Sequence, residues 1–494
     1  MTPCLLHDLS PNQLRHVCNV LVDGGGRLQM AYAWHAPAGV EVRYLVSTGA
    51  QKPFELWRCQ PASDLTLPSL AQEAPLLSWY EREMADLHGL VFRDHPEPHA
   101  LVLHEGARAA TPPLDPAYPS DQPLTWVDAP AELPHIKNHD VQLLPFGPVR
   151  ADVLESAQFL FFYVGESILH YHPRLFFKHR GMEKRFEGKD TSQGIILAER
   201  VSGVGSVAHS LAYCQAVEAA AGCVVPPRAA WLRVLLAELE RLYNHLHYLG
   251  HLCHTTTLKV GEAQGKLLEE KAKQLNGLAT GSRFLRGLLV PGGLAREPAL
   301  HSLSDSLEAL RQEFASYRRL LERTDSHRDR LLTTGHLSKA LAFDQGATGP
   351  VERASGLDRD LRRDHPYAAY ADLPLAVAGA AEGDAHARAS VRMDEIEASL
   401  ALLQRVLLML PEGPLRAPCA PTPGSEGLGW AESPRGSLFY AVHMGQDGRL
   451  ARVKVKSPSF SNWRVFPYTV HDSNMMDYAI NEASFGLTVA GCDR

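Results

Sequence analysis

His247, His251 and His254 are spaced four and three residues apart, and His245 precedes them. On a helix, residues at those intervals share a face, so their imidazoles could converge on a metal ion as paired histidine ligands do. Packing between helices uses the same spacing, and no carboxylate–histidine signature accompanies these residues. Cysteine is the second residue type with chemistry to offer. Cys4, Cys18, Cys59, Cys214, Cys223, Cys253, Cys419 and Cys492 include no Cys-x-x-Cys pair. A centre built on soft thiolate ligands draws on such pairs, and the spacing supplies none. The pattern predicts reduced thiols, mostly in the core.

The elements that must position these residues fall into an ordered series. Val40–Val46 and Pro53–Cys59 read as strands, and a helix is expected from about Ser69 to His88, with Gly89 as its stop. Seven prolines between residues 107 and 134 mark an extended linker and a domain boundary. The segment from Gln142 to about Tyr171 looks strand-rich. Helical spacing then dominates over Ala208–Ala221, Arg228–Gly250, Glu262–Arg286, Leu300–Arg330 and Ala387–Leu410, which suggests a central bundle. Strand-like patterns return at Leu438–His443 and Arg452–Lys456. The fold class read from this order is α+β: a small N-terminal α/β unit, then a helical bundle with flanking β elements.

Composition bounds the function. The chain has 494 residues, 45% hydrophobic and 21% charged, as soluble globular proteins do. Its net charge of -7 comes from interspersed acids and bases, which argues against a nucleic-acid partner. No apolar run reaches bilayer length, and the first residues carry no basic segment followed by an apolar one. The reading is a cytoplasmic chain that meets a membrane only by docking.

Several blocks together resemble one family. Trp79-Tyr-Glu-Arg-Glu-Met-Ala-Asp-Leu-His-Gly is similar to the signature of the small peripheral C-type protein of complex I. Phe177-Lys-His-Arg-Gly-Met-Glu-Lys, Glu199-Arg-Val-Ser-Gly-Val-Gly-Ser-Val-Ala-His, Glu238-Leu-Glu-Arg-Leu-Tyr-Asn-His, Arg353-Ala-Ser-Gly, Asp364-His-Pro-Tyr, Glu432-Ser-Pro-Arg-Gly and Ser457-Pro-Ser-Phe-Ser-Asn-Trp follow in the order of the large subunits of membrane-bound nickel–iron hydrogenases and of their D-type counterpart in complex I. The fusion of both parts resembles the formate-hydrogenlyase branch. The resemblance implies a C-like domain at 1–106, a proline-rich linker at 107–134 and a D-like domain at 135–494.

It also implies where chemistry would sit. The family's four cysteine ligands fall at Ser202, Gly205, Thr488 and Gly491, so the expected metal set is none, with Cys492 one residue late. Hydroxyls are hard and rarely deprotonated, and glycine has no donor. The remaining candidates are Glu183 and Glu238 as proton-relaying carboxylates, Arg435 above the former metal site, His209 toward a partner's iron–sulfur cluster, and Asp364 and His365 at the cavity wall with Arg362. A carboxylate relays protons when burial raises its pKa. An ion pair between Glu183 and Arg180 is the competing reading. The quinone-holding histidine and tyrosine of complex I fall near Leu154 and Thr191; quinone stays a candidate ligand, with His170, His172 and His179 nearby. The implied partners are an iron–sulfur small subunit and antiporter-like membrane subunits, with NAD reaching the complex only through other chains. The expected place is the cytoplasmic side of the inner membrane. The leading expectation is a peripheral-arm subunit that couples redox or proton events to ion translocation without its own nickel–iron centre; a quinone-reducing subunit and an assembly scaffold are the alternatives.

Overall fold

The computed structural model describes residues 4–108, 111–119, 122–129, 133–134, 136–150 and 155–494. The N-terminal unit is built on β1 (Leu5–Asp8), β2 (Arg27–Ala36), β3 (Gly39–Ser47) and β4 (Glu55–Cys59), in the spatial order β1-β4-β3-β2. β1 runs parallel to β4, and the other pairs are antiparallel. α1 (Pro11–Asp23) starts at a capping box between Ser10 and Gln13 and buries Leu14, Cys18 and Leu21. The helix expected from Ser69 begins later. A single 3₁₀ turn at Pro75–Leu77 leads into α2 (Ser78–His88). Pro75 is the reason: it pushes Ala74 out of helical geometry, to φ -135° and ψ 85°. α2 does end at Gly89, whose φ of 71° is the left-handed cap that glycine favours.

The proline-rich stretch lies along the fold. Among its described residues, Ala107–Arg108 pairs with Thr125–Trp126, and Leu114 and Tyr118 are buried. The Leu114 amide donates to the Leu87 carbonyl at 2.9 Å.

Beyond it, strands Gln142–Phe146, Gln158–Val164 and Ser167–Arg174 form an antiparallel sheet, with Gln142–Phe146 on its edge. Then come α3 (Met182–Phe186), α4 (Thr191–Val201), α5 (Ser206–Ala221), α6 (Pro227–Thr255), α7 (Lys259–Thr280) and α8 (Leu303–Arg323). The long helix expected over Leu300–Arg330 breaks at Thr324, which takes an extended ψ of 94°, while its hydroxyl donates back to the Leu320 carbonyl at 2.7 Å. A 25-residue helix, Ala385–Met409, completes the bundle. α6 and α7 cross where two glycines meet: a Cβ on Gly265 would lie 2.6 Å from the Gly250 Cα.

A three-stranded meander, Glu426–Ser433, Gly436–Met444 and Leu450–Lys456, packs on α5. Its first strand escapes the sequence reading because Gly427 and Gly429 break the β-rich pattern. They permit the contact, since a Cβ on Gly429 would fall 2.0 Å from the Ala212 carbonyl oxygen. One hydrophobic core runs through both units. Ion pairs fasten them: Arg27 to Glu352 at 2.5 Å, Arg43 to Glu426 at 2.6 Å and Lys454 to Glu83 at 2.8 Å.

Candidate functional site

The four positions implied as cysteine ligands flank two helix starts. Ser202 closes α4 and Gly205 precedes α5; Thr488 caps the Val489–Asp493 turn, its hydroxyl accepting from the Gly491 amide at 3.2 Å. The Thr488 hydroxyl also meets the Ser459 hydroxyl at 3.2 Å. A side chain begun at Gly491 would have its Cβ 2.5 Å from the Thr488 Oγ1 and 3.3 Å from the Ser457 Oγ. The space is therefore lined by hydroxyls from Ser457, Ser459 and Thr488. This donor set offers no thiolate and does not fit a nickel–iron centre. Cys492 is buried, and burial pushes its thiol well above the usual range, so it holds its proton.

Arg435 and His209 stand near the four positions, Arg435 bonded to Gly486 and His209 beside Gly205. Arg435 donates through Nε to the Gly486 carbonyl at 2.8 Å and through one terminal nitrogen to the Asn244 Oδ1 at 2.6 Å. Burial lowers its pKa to about 10. The His209 Nδ1 meets the Tyr440 hydroxyl at 2.9 Å, and the opposite ring edge faces Gly205. Burial lowers its pKa to about 3, so the imidazole is neutral. Arg180 lies nearby and donates to the carbonyls of Arg200, Val201 and Ala490.

Glu183 is not paired with Arg180. Its carboxylate lies among Arg452 at 2.7 Å, Lys454 at 3.2 Å and Arg494 at 3.3 Å. Glu83 of α2 shares this cage, at 2.8 Å from Lys454 and 2.9 Å from Arg494. Burial alone would raise the Glu183 pKa, but Lys454, Arg452 and Arg494 together hold it well below the usual carboxylate range. The condition set for a relay, a raised pKa, is not met here.

It is not met at Glu238 either. Glu238 accepts from the Tyr370 hydroxyl at 2.6 Å, the Ser399 hydroxyl at 2.5 Å and Arg362 at 3.1 Å. Arg241 lies 3.3 Å away. Against the penalty of burial, Arg241 and Arg362 lower its pKa. These residues belong to a larger buried network. Arg241 also reaches Glu395, which holds the His245 Nε2 at 2.7 Å. Arg353 bridges Glu395 at 2.5 Å, Glu432 at 3.0 Å and Asp360 at 3.4 Å. Arg362 closes the circuit to Asp360 at 2.7 Å.

Asp364 and His365 sit at the edge of this network, away from Arg435. Asp364 accepts from the Asp360 amide at 3.0 Å, and the His365 Nε2 meets the Ser47 hydroxyl of β3 at 3.1 Å. Both line a cavity of about 240 Å³ between the N-terminal sheet and the helical region. The sequence thus groups six residues that the structure divides: Arg435 and His209 near the four implied ligand positions, Glu183 in a cation cage, and Glu238, Asp364 and His365 in or beside the network.

Raised carboxyl pKa values occur elsewhere, at Glu81, Asp86, Glu187 and Asp493 and, within the large-subunit motifs, at Glu240 and Glu432, none of them a sequence candidate. Glu240 accepts from the Val207 and Ala208 amides at 2.7 and 2.9 Å, and burial still lifts it to about 7. Glu432 is lifted to about 7 by burial and the neighbouring Asp360 charge. Both stand inside family motifs, Glu238-Leu-Glu-Arg and Glu432-Ser-Pro-Arg-Gly. The histidine row of α6 does lie on one exposed face, with ring centroids 6.3 and 6.2 Å apart. Its outer members pair with α7, His247 with Glu269 at 3.0 Å and His254 with Glu262 at 3.1 Å. Of the two positions aligned with quinone contacts, Leu154 lies outside the described residues; the Thr191 carbonyl accepts from the Tyr213 hydroxyl at 2.9 Å.

Comparison with known proteins places these features in a lineage. The profile described as respiratory-chain NADH dehydrogenase, 30 Kd subunit, matches residues 7–123. That of nickel-dependent hydrogenase matches 180–276, and that of respiratory-chain NADH dehydrogenase, 49 Kd subunit, matches 268–423 and 418–494. The chain is 33% identical to formate hydrogenlyase subunit 5 of Escherichia coli over 83% of its length and 74% of that protein. It is 28% identical to the fused C/D protein of NADH-quinone oxidoreductase from Rhodopseudomonas palustris over 93% of its length and 87% of that protein. It is 32% identical to the carbon monoxide-induced hydrogenase of Rhodospirillum rubrum over 65% of its length and 90% of that protein.

Proposed function

Because the chain belongs to the family that unites membrane-bound hydrogenase large subunits with the fused C/D proteins of NADH-quinone oxidoreductase, we propose that it serves as the large peripheral-arm subunit of a complex I-like membrane complex without a nickel–iron centre of its own. The observation that carries this reading is the donor set at the ligand positions. Serine, glycine, threonine and glycine stand where thiolates would, and hydroxyl contacts from Ser457 and Ser459 occupy the space around Gly491. Nothing there reproduces the soft anionic donors that nickel requires.

The proposed partner is an iron–sulfur small subunit, seated on the edge of the Gln142–Phe146 sheet. Leu143, Leu144 and Phe146 are exposed on that edge strand, and Val149 beyond it is 87% exposed. An edge strand carrying so much exposed apolar surface calls for a cover. His209, neutral and beside Gly205, stands at the start of α5, where it would tune a cluster by hydrogen bonding. No helix among the described residues is long and apolar enough to cross a membrane, so the proposed place on the cytoplasmic face of the inner membrane is reached through antiporter-like membrane subunits. Redox events in the partner would change the charge beside Arg435 and bias proton occupancy of the buried carboxyls.

The test is elemental analysis of the whole purified membrane complex, per copy of this chain. Iron without nickel is the expected result. Stoichiometric nickel would overturn the proposal and return hydrogen chemistry to this subunit. Leu144→Asp should release the small subunit from the complex while leaving the fold of this chain unchanged; retained assembly would remove the edge strand from the interface.

A further inference from the structure

The network around Arg353 has a charge imbalance. Four buried carboxylates, Glu238, Asp360, Glu395 and Glu432, face three guanidiniums, Arg241, Arg353 and Arg362. His245 is no fourth cation, because burial lowers its pKa to about 4. A buried charge without a partner is costly, and a carboxyl group removes that cost by keeping its proton.

Geometry singles out which carboxyl does so. Glu238 and Glu395 each take contacts from two arginines, and Asp360 takes them from Arg353 and Arg362. Glu432 has one guanidinium partner, Arg353 on Oε1, and a 3.3 Å bond from the Leu361 amide on Oε2. It also has a route to water, which among the four it shares with Asp360. The cavity of about 240 Å³ has buried Glu432 and Asp360 in its floor, and exposed Ala50 and Asp358 at its rim. Such a volume holds several waters.

We propose that Glu432 is a proton-exchange site, taking up and releasing one proton through the cavity between the N-terminal sheet and the helical region and so setting the charge of the whole network. The groups that face it come from every packed element. They are Arg241 of α6, Arg353 of the Pro350–Ala354 turn, and Asp360 and Arg362 around the Leu361–Asp364 turn. Lys456 of the third strand of the meander feels the Glu432 charge and is itself lowered by burial to about 7, bonded to the Ser437 carbonyl and hydroxyl. The Tyr367 hydroxyl accepts from the Glu432 amide at 2.9 Å.

The consequence extends beyond one residue. Arg353 divides its donors between Glu432 and Glu395, and Glu395 holds His245. His245 follows Asn244, the partner of Arg435, on α6. Ionisation of Glu432 draws Arg353 toward it and weakens its hold on Glu395, so the protonation state is felt at the helix that holds the partner of Arg435. The exchange itself is a property of the chain alone; its use in coupling rests on the function proposed above.

The test is an infrared pH titration of side-chain carboxyl groups in the full-length chain. A protonated-carboxyl signal is expected to disappear near neutral pH, and Glu432→Gln should remove that transition while leaving those of other buried carboxyls. An unchanged set of transitions in Glu432→Gln would overturn the proposal. Should that variant fail to fold, Glu432→Asp keeps a shorter carboxyl and must shift the same transition; no shift overturns it equally. Ala50→Trp at the rim leaves the network intact and should slow deuterium exchange of this carboxyl several-fold, whereas an unchanged rate would remove the cavity as the route. The titration uses no partner subunit, so its failure is distinct from the appearance of nickel in the complex.

Discussion

Two buried ionic regions in this protein are both built from carboxylates and basic side chains and behave in opposite ways. Around Glu183 and Glu83, three cations surround two carboxylates. Around Glu432, three guanidiniums face four carboxylates. The first region has cations to spare, so Glu183 is held ionised. The second has a carboxylate to spare, and its pKa shift goes to the member with the fewest cationic contacts. Burial is nearly equal in the two places, with Glu183 6% and Glu432 4% exposed. The local balance of charge, more than depth, therefore decides which acid keeps a proton.

The strongest way to break this comparison is to remove one carboxylate from the cation-rich side. Glu183→Gln leaves Arg452, Lys454 and Arg494 with only Glu83 between them. Removing one partner of a buried ion pair costs about 3–5 kcal/mol, and this variant is expected in that range by urea denaturation at neutral pH. A loss below about 1 kcal/mol would mean that the cage is wetter than its geometry indicates.

The same substitution on the acid-rich side should give a different sign with pH. The Glu432 pKa is raised from 4.5 to about 7 by burial and Asp360. The folded state then binds more protons than the unfolded chain between those values. Its contribution to stability is intact below pH 4.5 and is lost as the pH rises to about 7. The slope in that window is at most about 1.4 kcal/mol per pH unit. Glu432→Gln should flatten it, so the variant gains on the wild type from pH 5 to pH 8 in parallel denaturation series. Parallel curves would show that Glu432 is already ionised at low pH.

A finer probe asks how the acid-rich network keeps its other members ionised. Tyr370→Phe removes the 2.6 Å hydroxyl donor to Glu238 and nothing else of size. A hydrogen bond to a charged group contributes about 1.5–3 kcal/mol, and the lower end is expected because Arg362, Arg241 and Ser399 remain. The change should appear as a lower denaturation midpoint with unchanged m-value.

How much of this was legible beforehand depends on the range of the forces involved. α5, α6 and the Ala385–Met409 helix could be read because apolar spacing is local. Gly89 could be read as a cap for the same reason. The strand Glu426–Ser433 could not, since its glycines serve a contact with α5 about two hundred residues earlier in the chain. The changed ligand positions were legible as letters, because a thiolate cage needs particular atoms at fixed spacing. The charge balance was hidden. Arg353 joins Asp360, Glu395 and Glu432, and only folding shows that the sum is uneven. Glu432 stood in a family motif, but nothing in five letters reveals that Arg353 is its single guanidinium partner or that a cavity reaches it. Likewise Arg180, three residues from Glu183, was the local guess for its partner, and the true partners lie at 452, 454 and 494.

The smallest expected effect tests whether counting charges is enough. Glu262 on α7 has three basic neighbours, as Glu183 does: Lys266 at 2.6 Å, Lys259 at 2.9 Å and His254 at 3.1 Å. Hydrogen bonds from Lys266 and Lys259 hold its pKa near 2. The difference is water: Lys259, Lys266 and His254 are all more than half exposed, so solvent and salt screen each pair. Glu262→Gln should leave the denaturation midpoint of the chain unchanged within error, at low and high salt alike. A loss comparable to that of Glu183→Gln would mean that the number of cationic neighbours, and not their isolation from water, sets the strength of these clusters.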